Sequence, residues 1–490
     1  MRRLALATSL VCAACARNAH PERQPFFELR SEHFALRTSL PKQEAAETVV
    51  EMERVRATLV KFIASSAPQP AGRMHVIQLA SPTELEEFFP EVLVGIAGED
   101  VFRRPVAVMV PYSPTEPLIV LQHELAHLLS LAVIPRQPRW FGEGLACYFE
   151  TIRRDRQSDT MVVGEPQRDR VTYLDAAFRR GHLSIGAVLH GPSSFYSFAG
   201  FEAASWLFVH WLQDRHAREF DSYMDLLFQG EDPAAAFHKA FPGLTALKVD
   251  ASMEKYFGMN AQFGTLSVPA PQWSGTLTAR ALAPAEVRAL RAQLFAFAGV
   301  NAAAARESAE ALRLDPGEPE AVAVRGKLPK ANAAEQLALA RAAVKLHPDD
   351  VRAWMLLLDQ LPKKADAERH QAVEAALRAG PEEPIALVAG VWDALDAGEV
   401  RESLTRARKA IRFAANSPDA LEALAAATAA DGHCPDAVDI LDRALEVVPA
   451  RAAAEVSQRL RDRRARLATS SGACPGAAAK PAADASPAPR

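Results

Sequence analysis

The C-terminal part of the chain is constrained most by a proline that recurs in an alanine-rich background. From about residue 283 onward the recurrence has intervals of 32, 33, 37 and 31 residues, at Pro316, Pro348, Pro381, Pro418 and Pro449. Alanine favours helix, whereas proline cannot continue one, so each interval predicts a helical unit that ends near a proline. Units of this length bury their apolar faces only by stacking on one another.

Small residues stand at a regular distance before these prolines. Alanine lies five residues ahead of four of them, at Ala311, Ala343, Ala376 and Ala444. Ahead of Pro418 the register is displaced by about three residues, and Ala410 takes this place. A period near 34 with a small residue in the second helix resembles the tetratricopeptide repeat. The resemblance implies an all-α solenoid over residues 283–466 that binds a protein partner; an irregular helical domain is the alternative.

Composition and charge exclude some classes of function for this chain. The chain has 490 residues, of which 49% are hydrophobic and 24% charged, and its formal net charge is −4. Without a basic field, nucleic acid is not an expected partner. The five cysteines are too few for a disulfide framework. Cys434 and Cys474 are either a pair or two unrelated thiols.

The N-terminus has the pattern of an export signal over residues 1–16. A short basic segment, MRR, precedes the apolar run LALATSLVCAACA. Cleavage after Ala16 would release a secreted protein. Alternatively, Cys15 is the lipidated residue of a bacterial lipoprotein, and the lipid is then the only expected contact with a membrane. Both possibilities predict that the mature protein lies in the cell envelope, as a periplasmic protein or an outer-membrane lipoprotein, or that it is otherwise secreted.

The stretch 25–262 mixes strand and helix patterns, which predicts an α+β domain. Alternating apolar residues indicate strands near residues 34–38, 74–80 and 105–111, and longer periods indicate helices at 42–64, 116–132 and within 172–262. The strand at 105–111 is bounded by prolines and is therefore predicted at a sheet edge. Residues 263–282 are rich in Pro, Gly, Ser and Thr and are predicted to be a linker. Residues 467–490 are predicted to be a disordered Ala/Pro tail.

The segment LQHELAHLLS, residues 121–130, contains two histidines four residues apart. On a helix these side chains share one face, so His123 and His127 can bind one metal ion, with Glu124 beside them as a base. A catalytic zinc site needs a third protein ligand. Glu143 in PRWFGEGLACYFE, residues 138–150, supplies a carboxylate on a second predicted helix after a short loop.

The paired segments HELAH and PxWFxEGLA resemble the gluzincin metallopeptidases, and more narrowly the peptidase-MA-like family. The resemblance implies a zincin-like domain over residues 25–262, with a small N-terminal sheet and an active-site helix. It implies Zn²⁺ bound by His123, His127 and Glu143, with Glu124 as general base for hydrolysis of a polypeptide substrate. Related sequences often have an acidic residue where Cys147 stands, and Cys147 is interpreted as a small buried residue rather than a ligand.

Such enzymes also use a side chain that donates a hydrogen bond to the tetrahedral intermediate. The candidates are Tyr148, His190, Tyr196 and His210, and Tyr196 is favoured because the family often has a tyrosine entering the next helix. His210 lies on an apolar helix and is also interpreted as structural.

The sequence thus predicts an exported zinc endopeptidase whose repeats recruit a substrate or partner. The alternatives are a non-catalytic envelope scaffold that acts through its repeats, and a zinc enzyme that acts on a non-peptide amide.

Overall fold

A computed structural model of the chain describes residues 25–63, 71–92, 94–111, 118–134, 136–181, 184, 198–258, 263–329, 332–362, 367–415, 417–448 and 454–468. The predicted export signal with Cys15 lies outside these residues. The predicted tail 467–490 with Cys474 also lies outside them, except for residues 467 and 468, which are the last two of a helix. Among the helices described, none combines the length and apolar character that a membrane span requires.

The first half of the chain is built on two sheets. Their strands are β1 (Phe27–Arg30), β2 (Phe34–Thr38), β3 (Met74–Gln78), β4 (Gly95–Glu99), β5 (Pro105–Met109), β6 (Arg153–Asp155), β7 (Thr160–Val163), β8 (Leu266–Pro269) and β9 (Thr278–Ala281). The larger sheet is mixed and has six strands in the order β4-β5-β3-β2-β1-β9. Strands β2, β3 and β5 are parallel, while β4, β1 and β9 pair antiparallel with their neighbours. The second sheet has the order β6-β7-β8.

The prediction that 105–111 forms a sheet edge is wrong. β5 lies inside the sheet, between β3 and β4. Its prolines do not break the ladder because Pro105 is the first residue of the strand and pairs with Glu99 at the end of β4. The edge strand on this side of the sheet is β4, which was not predicted from the sequence.

One face of the sheet carries most helices of the first half. The helices are α1 (Lys42–Ile63), α2 (Pro82–Phe88), α3 (Ile119–Val133), α4 (Arg139–Phe149), α5 (Arg168–Arg179), α6 (Phe198–Arg215), α7 (Ala217–Phe228), α8 (Pro233–Ala240) and α9 (Ala246–Gly258). Helix α1 shows why they pack there: its apolar residues Val49, Met52, Val55 and Leu59 recur every three or four positions and are all fully buried. They join one large core with α3, α4 and α6.

The segment 263–282 is not a linker. It contains β8, which pairs with β7, and β9, which pairs with β1 from Phe27↔Ala281 to Arg30↔Thr278. Its backbone hydrogen bonds therefore complete both sheets before the helical array begins.

From Pro284 to Ala468 the described chain is helical. The helices are α10 (Pro284–Phe297), α11 (Asn301–Leu314), α12 (Pro319–Lys327), α13 (Ala333–Leu346), α14 (Val351–Gln360), α15 (Ala367–Ala379), α16 (Pro384–Asp396), α17 (Val400–Phe413), α18 (Pro418–Ala430), α19 (Cys434–Glu446) and α20 (Ala454–Ala468). Successive helices pack against each other, so they form an array of pairs. The alanines predicted at close approaches are all fully buried, namely Ala311, Ala343, Ala376, Ala410 and Ala444.

The array is packed against the first half of the chain along much of its length. Helices α10 and α11 cover the second face of the sheet together with α2, and Leu290 and Leu294 meet Ile77 and Val108 there in one core. Further along, Phe102 of the β4–β5 turn belongs to one core with buried residues of the helices α12 to α16. The ring of Phe102 lies beneath the guanidinium groups of Arg104 and Arg352, at 5.3 and 6.0 Å.

The far end of the array also contacts the first half. The backbone N–H of Ala71 donates to the carbonyl of Arg412 at 2.8 Å. At the next position, Gly72, a Cβ would lie 2.4 Å from the carbonyl oxygen of Phe413, so only glycine permits this approach. Arg136, in the loop between α3 and α4, forms an ion pair with Glu446 at 3.1 Å. The array and the sheet domain are thus joined at both ends of the array.

Candidate metal centre

The two histidines of helix α3 lie on its more accessible side, whereas three of its leucines lie in the core. Leu121, Leu125 and Leu129 are buried in the core, whereas His123 and His127 remain partly accessible at 14% and 21% of the side chain. The four-residue spacing turns both imidazoles to the same side of the helix. Their Nε2 atoms lie 3.2 Å apart.

Helix α4 returns against α3 and is fixed by aromatic packing and by one glycine. Trp140 stacks on Tyr223 and contacts Phe208. At Gly144 a Cβ would lie 2.6 Å from the carbonyl oxygen of Ser205, so α4 lies directly against α6. This packing directs the adjacent side chain, Glu143, toward the two histidines.

The three predicted ligands are brought together. Glu143 Oε2 lies 3.6 Å from His123 Nε2 and 3.4 Å from His127 Nε2, which completes a triangle with the 3.2 Å histidine contact. A tetrahedral zinc ion with ligands at about 2.0 to 2.2 Å keeps those ligand atoms about 3.3 to 3.6 Å apart. The triangle therefore has the dimensions of one face of a zinc coordination tetrahedron.

The donor atoms also have the chemistry that a cation requires. Glu143 Oε2 is a buried oxygen without a hydrogen-bond partner among the described residues. Burial alone would raise the pKa of Glu143, but His123 and His127 outweigh it and hold that pKa far below its usual range. The carboxylate is therefore ionised, and its uncompensated oxygen faces two imidazole nitrogens. These residues fit a divalent zinc ion.

His123 is held from its other side. Its Nδ1 lies 2.9 Å from Glu150 Oε2, and Glu150 is almost fully buried at 3% exposure. Burial opposes the imidazolium, yet Cys147, Glu143 and Glu150 together raise the pKa of His123 well above its usual value. A metal ion would have to displace the proton from Nε2.

Cys147 and Glu150 form a second possible ligand group with His123. Burial and the Glu150 charge raise the pKa of the Cys147 thiol to about 12, so it stays protonated. Arg170 donates to both oxygens of Glu150 at 2.7 and 2.8 Å and neutralises it. A guanidinium group at this position repels a cation, so we assign no metal to this second group. Cys147 is fully buried, as the sequence analysis predicted.

Glu150 was not among the residues predicted from the sequence. An acidic residue was expected only one turn beyond Glu143, where this chain has Cys147. Glu150 is seven residues after Glu143, two turns along the same side of the helix, so the helical period was the signal that could have identified it.

Glu124, the predicted base, is half-buried on α3 between the two histidines. Its carboxylate has no hydrogen bond or ion pair with any of the described residues. It is therefore not committed to a structural contact.

The predicted donors to an intermediate divide into two groups. His210 is fully buried, and its ring nitrogens bond to Tyr256 Oη and to the carbonyl of Gly164, both at 2.9 Å. Tyr148 packs edge-on against His210 in the same core. These two residues are structural. His190 and the favoured Tyr196 lie outside the described residues, so Tyr196 stays a prediction.

Comparisons with known proteins find likenesses to solved structures over part of the chain. No family model matches the chain, and no curated protein matches it significantly. A thermophilic TPR protein of Thermus thermophilus, TTC0263, matches with TM-score 0.29 and 21% identity, over 38% of this chain and 98% of that one. MamA matches with TM-score 0.25 and 16% identity, over 33% and 91%. Yeast Tom70 matches with TM-score 0.29 and 11% identity, over 61% and 73%. With every TM-score below 0.5, these likenesses establish no shared function; part of the chain is similar to TPR-like repeat structures.

Proposed function

We propose that the chain is a zinc-dependent endopeptidase. The observation that supports this most directly is the triangle of His123, His127 and Glu143, whose edges of 3.2 to 3.6 Å match a zinc coordination face. Zinc held there would polarise a peptide carbonyl and lower the pKa of water. Glu124, which follows His123 on the same helix, would accept the proton of the attacking water and return it to the leaving amine.

The edge strand β4 supports a polypeptide substrate. It lies beside α3, since a Cβ on Gly95 would come within 3.0 Å of Val120 Cγ2. An extended chain can add to such an edge through backbone hydrogen bonds, which depend little on the sequence of that chain.

Replacement of Glu124, the proposed general base, tests whether the chain hydrolyses peptide bonds. In Glu124→Gln we expect about one zinc per chain, as in the wild type, because the three ligands remain. Hydrolysis of an unfolded protein should fall by about 100-fold or more because no group accepts the proton. The matched control is Glu254→Gln, at an exposed position of α9, which should retain both properties. A wild type that binds no zinc would overturn the proposal.

A second candidate is a scaffold that binds a partner through the array. Leu314 and Leu346 are 42% and 50% exposed, and each lies two residues before a recurrent proline. In this function the two leucines would belong to a partner-binding surface of the array. Zinc in the wild type with no hydrolysis in either protein would favour this function over the enzyme.

We propose the cell envelope as the location, on the N-terminal pattern alone. Mass spectrometry of the mature chain distinguishes the two routes. A lipidated Cys15 at the N-terminus indicates an anchored lipoprotein, whereas a free Arg17 indicates a secreted protein.

A further inference from the structure

A buried chain of charges extends from the metal centre through three helices. Glu150 at the end of α4 accepts from His123, and Arg170 of α5 donates to both of its oxygens. Arg170 Nη1 also donates to Glu202 of α6 at 2.8 Å. Arg170 and Glu202 are only 14% and 13% exposed, so solvent screens these bonds little.

The arrangement restricts the imidazole of His123. A carboxylate that is held by a guanidinium group can only accept, so His123 must donate through Nδ1. Nε2, which faces His127 and Glu143, is then the nitrogen that can bind a metal ion once its proton is displaced. Because the Arg170 contact is bidentate, Glu150 cannot rotate away without losing two charge-assisted hydrogen bonds.

We propose that Glu150, clamped by Arg170, is the positioning residue that fixes the tautomer and ring orientation of His123 for zinc. It does so from two turns beyond Glu143, while Cys147, one turn beyond, contributes no charge. This inference rests on the proposed zinc site. Outer partners of this kind typically change metal affinity about 10- to 100-fold.

The test compares zinc affinity in variants of the full chain, by competition with a chromogenic chelator. Glu150→Gln alone leaves a buried guanidinium partly unpaired, and adding Arg170→Met would leave the carboxylate of Glu202 unpaired. The main variant is therefore the triple Glu150→Gln/Arg170→Met/Glu202→Gln, which removes all three charges. We expect its zinc affinity to fall about 10- to 100-fold. The absorption spectrum of the Co²⁺-substituted protein should shift as well, because the imidazole is no longer held in one orientation.

Two further variants make the test specific. Arg153→Met/Glu165→Gln removes another bidentate Arg–Glu pair, on β6 and the segment after β7, that does not contact His123; its zinc affinity should equal that of the wild type. Addition of Cys147→Asp to the main variant places a carboxylate one turn beyond Glu143 and should recover part of the lost affinity.

Wild-type affinity in the folded main variant would overturn the inference. If circular dichroism shows that this variant does not fold, Glu150→Gln alone decides, and unchanged affinity there overturns it equally. Absence of zinc from the wild type is a different result, because it rejects the proposed function itself.

Discussion

Glu143→Ala is expected to abolish stoichiometric zinc binding. The substitution removes one of three protein ligands and the only carboxylate in the triangle, which leaves two neutral imidazoles to hold a dication. The loss of affinity should exceed about 100-fold, the upper end of what loss of an outer partner costs. Zinc at about 100 times its Kd should raise the free energy of unfolding of the wild type by about 2.7 kcal/mol, and this gain should vanish in the variant.

The measurement is a pair of thermal melts, with zinc and with a chelator. Glu124→Gln is the matched control, since it removes a neighbouring carboxylate but none of the three ligands, and its melt should still respond to zinc. A Glu143→Ala protein that keeps the full response would show that the metal, if bound, sits elsewhere.

Gly144→Ala is expected to damage both the fold and the metal centre. The added Cβ would lie 2.4 Å from Val209 Cγ2 and 2.6 Å from the carbonyl oxygen of Ser205. The Val209 methyl can rotate away, but the backbone carbonyl cannot, so α4 must move off α6. Overpacking of this kind costs about 1 to 3 kcal/mol of unfolding free energy. Because Glu143 precedes this glycine, zinc affinity should fall with it.

Gly142→Ala provides the control two residues away on the same helix. There the nearest neighbour of a Cβ is the Gln137 side chain at 3.5 Å, an ordinary contact. Alanine in a helix interior is favoured over glycine by about 0.5 to 1 kcal/mol, so this variant should be as stable as the wild type or more so. Urea unfolding of both variants measures the difference. Equal stability would mean that α4 and α6 are not in close contact.

The parts of the molecule that were predictable from the sequence are those whose side chains repeat with a period. The two histidines four residues apart and the alanine before each recurrent proline identify one face of a helix, and the structure places them as expected. The sequences of strands β4 and β9 contain no comparable repeat. β4 reads GIAGE, with two glycines, and all four residues of β9 are exposed, so neither shows alternation. Both are defined by backbone hydrogen bonds to a neighbour, which the sequence does not encode locally.

The contacts at both ends of the array determine where a bound polypeptide would lie relative to the metal ligands. A recruitment module on a flexible tether raises the effective concentration of its cargo, and the tether length sets the gain. Here β9 is hydrogen-bonded into the sheet, and Arg136 joins the array to the loop that precedes Glu143. Cargo on the array would therefore stand at a fixed distance and orientation from the metal ligands. A polypeptide bound to the array would therefore reach the site at a constant number of residues from the segment that the array holds.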